Sequence, residues 1–265
     1  MTAGPGELPA DRSFRGLFAP KPDHAYFAAA RERPFQPAAT RYESGNGWWL
    51  AEASLLAYVE EEARVREALG LAGLDETTIL ERGAGRALAA RGPAFALVAF
   101  RGTRIGAWED LRADLRVGRT RWEGPGRVHR GFQGALAGLW PELAAWLARL
   151  DRPVWFTGHS LGAALATLAF ALHRRDGLVT FGSPRVGNRA FARAFPPRAY
   201  RVVNGRDPVA TLPWPLLFKH VGELQRIGAP PSPGPLPDHS PLHYALQAAR
   251  ACTQAVVSHG SDRFQ

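Results

Sequence analysis

Apolar residues recur at helical spacing over residues 48–70, WWLAEASLLAYVEEEARVREALG, while the acidic run and the arginines fall on the other face. This pattern predicts one long amphipathic helix that ends at Gly70. Three short runs follow it, TTILER (77–82), RALAAR (86–91) and AFALVAF (94–100), each partly alternating between apolar and polar positions. Such runs, separated by glycine or proline, predict β-strands.

The second half of the chain alternates helices with apolar strands. A helix is predicted over 134–149, in which Pro141 marks either a helix start or a kink. The elements after it are a strand at 153–157, a helix at 161–174, a strand at 178–184, a short helix at 188–195 and a strand at 199–203. This order favours a parallel sheet with right-handed crossovers. The predicted fold class is therefore α/β, with a mainly parallel central sheet flanked by helices.

The pattern predicts one domain preceded by a tail. Residues 1–23 are punctuated by glycine and proline and are expected to form a flexible N-terminal tail. Residues 24–265 are expected to form a single domain, because the proline-rich stretch 228–237 is followed by too little chain for another one. We interpret that stretch as a surface loop before a last helix at 242–256.

Charge and cysteine content narrow the choice of function. The formal net charge is +9, but nearly all cationic residues are arginines spread along the chain. We interpret this as a compositional bias and expect no nucleic-acid partner. Cys252 is the only cysteine, so neither an intramolecular disulfide nor a thiolate metal site can form. We expect no metal and no organic cofactor.

The compartment is predicted from the start of the chain. The first residues, MTAGPGELPADRSF, lack the basic region and following apolar region of a secretory signal. No run of about 18 apolar residues occurs, so no transmembrane segment is expected. The default expectation is a cytoplasmic protein, with signal-independent export left open.

Residues 155–170, WFTGHSLGAALATLAF, carry the clearest chemical pattern. Gly158 and Gly162 bracket Ser160 as G-x-S-x-G, between an apolar strand and an alanine-rich helix. This context is typical of a serine on a sharp, strained turn. The residues beside such a serine must be small, because the backbone passes close to them. The alternative is a serine that caps the helix. The strand before Ser160 and the helix after it favour a nucleophile, with the helix N-terminus facing developing negative charge.

A serine nucleophile needs a base and an acid that orients the base. In this strand–turn–helix context both follow the serine in the chain, the acid first and then the histidine. Asp207 comes after a strand, in a loop that Pro208 stiffens, and is the preferred acid; its alternative role is to form the turn. His239 stands at a loop-to-helix junction and is the preferred base, with His243 as its rival. Asp238 is interpreted as a turn or cap residue.

Several strings occur in a fixed order along the chain. They are NGWWLAEASLLAY (46–58), VAFRGT (98–103), DLRADL (110–115), VHRGF (128–132), TGHSLGAALATLA (157–169), TFGSPRVGN (180–188), VVNGRDPVATLP (202–213), HVGE (220–223) and DHSPLHY (238–244). Over about residues 45–245 the chain thereby resembles the class 3 lipases, the fungal-type triacylglycerol lipase family of the α/β-hydrolase superfamily. The resemblance implies an α/β-hydrolase fold and hydrolysis of lipid esters.

By this resemblance Ser160 is the nucleophile, Asp207 the acid and His239 the base. Thr103, the residue after FRG, contributes to the oxyanion hole together with the amide of Leu161.

Asp114, the last acid of the DLRADL segment, is expected to orient the hydroxyl of Thr103, with an exposed helix acid as the alternative. His129 and Arg185 stand at motif positions and are interpreted as residues that hold loops together by hydrogen bonding.

A lid and an acyl site are predicted from apolar residues near these motifs. The candidates are Ile105, Trp108, Leu212, Trp214 and Leu216. Three roles are considered for these residues: they line an acyl pocket, they contact a lipid surface, or they belong to an ordinary loop packed on the core.

The chain departs from the family at three places: Leu111 replaces a tryptophan, Ala163 replaces a second glycine, and the lid stretch RIGAWEDLRA is short. The expected partner is a lipid or ester substrate, with transient contact to a lipid surface. The alternatives are a phospholipase or thioesterase on the same fold, or a non-catalytic lipase-like binding protein.

Overall fold

The computed structural model describes residues 13–19, 21–83, 85–103, 118–228 and 234–261. Its helices are α1 (Phe14–Phe18), α2 (Ser44–Leu56), α3 (Glu62–Leu71), α4 (Arg130–Ala137), α5 (Trp140–Leu147), α6 (Leu161–His173), α7 (Arg189–Arg193), α8 (Pro235–Asp238) and α9 (Pro241–Ser261). Its strands are β1 (Glu76–Arg82), β2 (Gly85–Arg91), β3 (Ala96–Phe100), β4 (Arg119–Arg121), β5 (Arg127–His129), β6 (Val154–His159), β7 (Gly177–Phe181), β8 (Ala199–Asn204) and β9 (Glu223–Ile227).

The main sheet has seven strands in the order β1-β2-β3-β6-β7-β8-β9 within the described residues. The first three strands pair antiparallel with one another. In this sheet β3, β6, β7, β8 and β9 pair parallel with their neighbours, and Phe100 of β3 lies beside Gly158 of β6. Strands β4 and β5 form a separate antiparallel pair. The predicted α/β class with a mainly parallel central sheet is therefore confirmed.

Helices cover both faces of this sheet, because alternate strand residues point to opposite sides. Leu97 and Trp155 pack with α2 and α9 on one face. Val98 and Phe156 pack with α4, α5 and α6 on the other. With both faces covered, β3, β6 and β7 are buried along their whole length, as expected for parallel strands in the middle of an α/β sheet.

The prediction of a single long helix over 48–70 is wrong, because α2 and α3 are separate helices. Every residue of α2 from Asn46 onward is buried, so this helix is not amphipathic. It lies between β6 and α9. The non-helical segment after it directs Tyr58 inward, where its hydroxyl donates to Nδ1 of His159. Tertiary packing here overrides a local helical pattern.

The helix predicted over 134–149 is also divided, into α4 and α5, with Gly138 between them. Pro141 lies in the first turn of α5. Of the two roles considered for this proline, a helix start is the one observed, because proline lacks an N–H that the first turn would leave unpaired.

Two segments predicted to be irregular contain short helices. Helix α1 lies within the predicted tail, and its Leu17 is buried and accepts a hydrogen bond from the Ser240 hydroxyl. Helix α8 lies within the predicted surface loop 228–237 and starts at Pro235. In the first case apolar side chains gain burial against α9, which the local glycine and proline content does not reveal. The division into residues 1–23 and 24–265 stays a prediction.

Candidate active site

Three polar side chains meet at the carboxyl edge of the sheet. Ser160 follows β6, Asp207 follows β8 and His239 follows α8. Because β6, β7 and β8 are parallel, their carboxyl ends lie along one edge, where α/β proteins place their ligand sites.

Ser160 occupies a strained turn between β6 and α6. Its φ of 59° and ψ of −122° are unusual for a residue with a side chain. The amide of Ser160 donates to the carbonyl of Phe181 over 3.0 Å, which fixes the turn to the neighbouring strand. A β-carbon on Gly158 would overlap the backbone of Gly162, and one on Gly162 would overlap the backbone at Phe100. The two glycines of the motif are therefore required by close approach of the chain.

The Ser160, His239 and Asp207 side chains form one continuous hydrogen-bonded path. The Ser160 hydroxyl donates to Nε2 of His239 over 2.9 Å. Nδ1 of His239 donates to the Asp207 carboxylate, with distances of 2.9 and 2.8 Å to its two oxygens. All three residues are buried. The structure thus brings together the three residues selected from the sequence.

Asp207 is held by two further donors. The Tyr244 hydroxyl donates to its Oδ2 over 2.6 Å, and the amide of Val209 donates to its Oδ1 over 2.8 Å. Burial, and then the charge of Asp207, raise the pKa of Tyr244 well above its ordinary value. Tyr244 therefore stays protonated and remains a donor, so the carboxylate faces His239 in a fixed orientation.

His159, the residue before the serine, holds the main chain of His239. It is completely buried. Burial, and then the nearby His239, hold the pKa of His159 well below its ordinary value, so the ring is neutral. Its Nε2–H donates to the carbonyl of His239 over 2.8 Å, which leaves Nδ1 to accept from the Tyr58 hydroxyl over 2.8 Å. Burial also raises the pKa of Tyr58, which keeps this donor protonated.

The loop with the acid and the loop with the histidine are tied to each other. The side-chain amide of Asn204 donates to the carbonyl of Asp238, and the amide of Arg206 donates to the Asp238 carboxylate over 2.7 Å. His243, the rival base, points elsewhere: its Nδ1 donates to the carbonyl of Pro237 over 3.0 Å. His239 is therefore the histidine in hydrogen-bond contact with Ser160.

The two groups predicted to bind an oxyanion lie at the same edge of the sheet as Ser160. Leu161 is the first residue of α6, and the first amides of a helix have no carbonyl partner within it. Thr103 follows β3, whose end lies in register with Gly158 at the same edge. Its hydroxyl is buried and has no hydrogen-bond partner among the described residues. The predicted supporting residue Asp114 lies outside the described residues.

The predicted lid and acyl-site residues have different environments. Leu212 is half-buried and packs against the apolar core on the α6 side of the sheet. Trp214 and Leu216 are exposed. Ile105 and Trp108 lie outside the described residues.

Of the two other motif residues, Arg185 joins neighbouring segments by hydrogen bonds, as predicted for it. Arg185 donates to the carbonyls of Thr211 and Pro213, over 2.8 Å to the second. His129 is buried, and its ring is tilted against those of Phe132 and Phe218. Its hydrogen-bonding role stays a prediction.

Sequence reasoning missed Tyr58, His159 and Tyr244 as parts of this site. All three stand inside strings that carry the family resemblance, at the end of NGWWLAEASLLAY, in TGHSLG and at the end of DHSPLHY. The signal was present, but a letter in a motif does not say which partner its side chain reaches.

The described part of the chain has neither a metal-ligating cluster nor a membrane-spanning helix. No group of three or more histidine, cysteine, aspartate or glutamate residues is arranged to hold a metal ion there. None of the helices described there combines the length and the apolar character needed to cross a bilayer.

Known proteins resemble this chain in sequence and in fold. The family model for class 3 lipases matches residues 97–216, which include Ser160 and Asp207 but not His239. A secreted mono- and diacylglycerol lipase of Fusarium solani is 44% identical over 107 residues, 34% of this chain and 31% of that protein. One from Malassezia restricta is 39% identical over 110 residues, 36% of this chain and 37% of that protein. The matches thus span about a third of these relatives.

A solved structure supports the fold. The triacylglyceride lipase of Rhizomucor miehei superposes with a TM-score of 0.55 and 26% sequence identity, over 68% of this chain and 78% of that one.

The prediction of a cytoplasmic location is wrong. The relatives from Fusarium solani and Malassezia restricta are named as secreted proteins, which points to export. The prediction depended on a signal pattern that was not found, and a missing pattern does not determine a compartment.

Family model, sequence relatives and fold agree. The mainly parallel sheet flanked by helices, and the serine turn between β6 and α6, are those of the superfamily that the sequence resemblance implied. Residues 97–216 of the chain match the class 3 lipase family, and the described residues have the fold of the α/β-hydrolase superfamily.

Proposed function

We propose that the protein is a serine hydrolase that cleaves carboxylic esters of lipids through an acyl-enzyme. The hydrogen-bonded path from Ser160 through His239 to Asp207 carries this proposal. In this role Nε2 of His239 removes the proton of Ser160 as its oxygen attacks the ester carbonyl carbon. Asp207 keeps the imidazole oriented and stabilises its charged form.

The tetrahedral intermediate carries a negative oxygen that needs donors. The amide of Leu161 and the hydroxyl of Thr103 take this role in the proposal. The unpartnered, buried Thr103 hydroxyl supports it, because a buried donor without a partner is costly unless a ligand satisfies it. His239 then protonates the leaving alcohol, and water repeats the sequence of steps on the acyl-enzyme.

A lipid substrate is the most consistent choice of ester. The relatives from Fusarium solani and Malassezia restricta are named as mono- and diacylglycerol lipases, whereas a relative from Arabidopsis thaliana is named as a phospholipase A(1). The exposed Trp214 and Leu216 follow the acid loop and offer apolar contact to a lipid surface or an acyl chain. Neutral glycerides are therefore the first substrates to test, with phospholipids and thioesters as the competing classes.

Labelling with a fluorophosphonate probe tests the central claim. The probe reacts only with an activated serine, so we expect labelling of the wild-type protein at Ser160 and none of Ser160→Ala. Hydrolysis of a p-nitrophenyl ester is expected to fall to background in the same variant, while its circular dichroism spectrum matches wild type. Equal hydrolysis by both proteins would refute the assignment.

A substrate panel then separates the lipid classes. Glycerides and phospholipids of matched chain length, together with acyl thioesters, are compared by kcat/KM. A preference for phospholipids or thioesters would refute the hypothesis that neutral glycerides are the substrates, and it would leave the proposed serine mechanism unchanged.

A further inference from the structure

The segment after the acid loop presents large apolar side chains to solvent. In residues 211–217, here called the apolar loop, Trp214 is 69% exposed, Leu216 is 81% exposed and Leu217 is 49% exposed. Exposed apolar residues are ordinary when scattered, but neighbouring ones mark a contact surface. Leu71 and Leu224 are the other large apolar residues with comparable exposure among the described residues, and neither belongs to this loop.

Three cationic side chains bind the backbone of this loop. Arg185 donates to the carbonyls of Thr211 and Pro213. The Lys219 ammonium donates to the carbonyl of Pro215 over 2.9 Å. Arg119 donates to the carbonyl of Leu217 over 3.4 Å. Every second carbonyl of the loop therefore faces a positive charge.

None of these three cations forms an ion pair with a carboxylate in the described part of the chain. The short β-ribbon beside them adds Arg121 and Arg127, which are exposed and opposite each other. Isolated β-bridges connect Val128 of β5 to Gly187, and Gly187 to Lys219. Among the described residues, the apolar loop is thus flanked by cations that no carboxylate pairs with.

We infer, building on the proposed lipid hydrolase function, that the apolar loop docks the protein on an anionic lipid surface. Trp214, Leu216 and Leu217 enter the interface, and the flanking cations contact lipid phosphates. Apolar residues alone would bind neutral and anionic surfaces alike, whereas each cation near an anionic surface adds affinity. Charge complementarity therefore selects the anionic surface as the partner.

The position of the loop makes this contact useful for catalysis. It starts at the end of the turn Val209–Thr211, and the amide of Val209 donates to Asp207. Docking through the loop therefore holds the edge of the sheet that carries Ser160, His239 and Asp207 next to the surface that supplies lipid esters.

Vesicle sedimentation with the full-length Ser160→Ala protein tests the inference without turnover. Vesicles of phosphatidylcholine and of phosphatidylglycerol are compared at low and high sodium chloride. We expect stronger binding to phosphatidylglycerol and a loss of that preference at high salt, because salt screens exposed charges. Trp214→Ser and Leu216→Ser are each expected to weaken binding about tenfold.

Charge variants separate the two contributions. Lys219→Gln and Arg119→Gln keep a donor for the loop carbonyls, and each is expected to weaken binding to phosphatidylglycerol about fivefold without affecting phosphatidylcholine. Matched controls lie at the other edge of the sheet. Leu71→Ser removes another exposed leucine, which lies before β1, and Arg175→Gln removes an exposed arginine after α6. Both are expected to bind like the parent protein.

Two outcomes would overturn the inference. Equal binding of the parent protein to both vesicle types would show that charge does not select the surface. Unchanged binding by the loop variants would place the membrane contact elsewhere and leave the apolar loop for a protein partner. Failure of the hydrolase proposal is recognised separately, as absence of fluorophosphonate labelling of Ser160 in the wild-type protein.

Discussion

Gly182 is the position where the smallest possible change acts directly on the catalytic geometry. It follows β7 with a φ of +58°. A β-carbon added there would lie 2.6 Å from Oδ2 of Asp207 and 3.1 Å from Nδ1 and Cε1 of His239. Gly182→Ala therefore pushes on the acid and the base at their point of contact, without removing any functional group.

The magnitude follows from these distances. An ordinary contact needs at least 3.4 Å, so Asp207 or the backbone of residue 182 must move by 3.4 − 2.6 = 0.8 Å. A displacement of about 1 Å in a catalytic arrangement costs about 10²-fold in rate. We expect kcat/KM to fall about 100-fold, the equivalent of about 2.7 kcal/mol. The positive φ adds a loss of about 1–2 kcal/mol in the free energy of unfolding, because an alanine side chain is strained there.

The assay compares two variants with the same backbone strain. Gly83 has a φ of +56° and nothing within 4 Å of an added β-carbon, so Gly83→Ala is a matched control. Both variants are compared by p-nitrophenyl ester hydrolysis, fluorophosphonate labelling rate and urea unfolding. We expect similar losses of stability in both and a loss of rate only in Gly182→Ala.

Two results would refute this reasoning. Near wild-type turnover by Gly182→Ala would show that the carboxylate and imidazole move without consequence. An equal loss of rate in Gly83→Ala would trace the effect to general destabilisation.

Three further predictions concern neighbouring groups. Thr103→Val is expected to lower kcat about 10²–10³-fold if its hydroxyl binds the oxyanion, with the fold intact by circular dichroism; an unchanged kcat would remove Thr103 from that role. Tyr58→Phe leaves Nδ1 of His159 buried without its donor. The free energy of unfolding in urea is therefore expected to fall by about 1–3 kcal/mol, and an unchanged value would argue against the hydrogen bond. Burial, and then Arg201 and Arg185, lower the pKa of His220 from 6.5 to about 3. The folded state therefore keeps His220 neutral, while the unfolded state takes up a proton there. The contribution of neutral His220 to the free energy of unfolding is thus present above about pH 6.5 and is lost as the pH falls towards about 3. In His220→Asn, the slope of unfolding free energy against pH in that window is expected to fall by up to about 1.4 kcal/mol per pH unit, and an unchanged slope would contradict this.

Local pattern was a good guide where neighbours in the chain determine the structure. The strand before Ser160 and the helix after it are found within a few residues of their predicted bounds. The same reasoning failed over 48–70, where a helical pattern continues but the chain breaks between α2 and α3. The break depends on the packing of α2 between β6 and α9, which no local window contains.

The sequence by itself determined the class of fold, the serine turn with its two obligatory glycines, and the small set of acids and histidines able to serve it. These depend on backbone sterics, strand and helix periodicity and residue order, all of which act over short distances along the chain. Only the tertiary structure decided that His239, 79 residues from Ser160, is the histidine that reaches it. Only it revealed that Tyr58 fixes the ring of His159 and that Tyr244 fixes the carboxylate of Asp207. Such contacts depend on how helices pack across a sheet. That packing brings residues together in space that lie far apart in the chain, so no local sequence pattern predicts the contact.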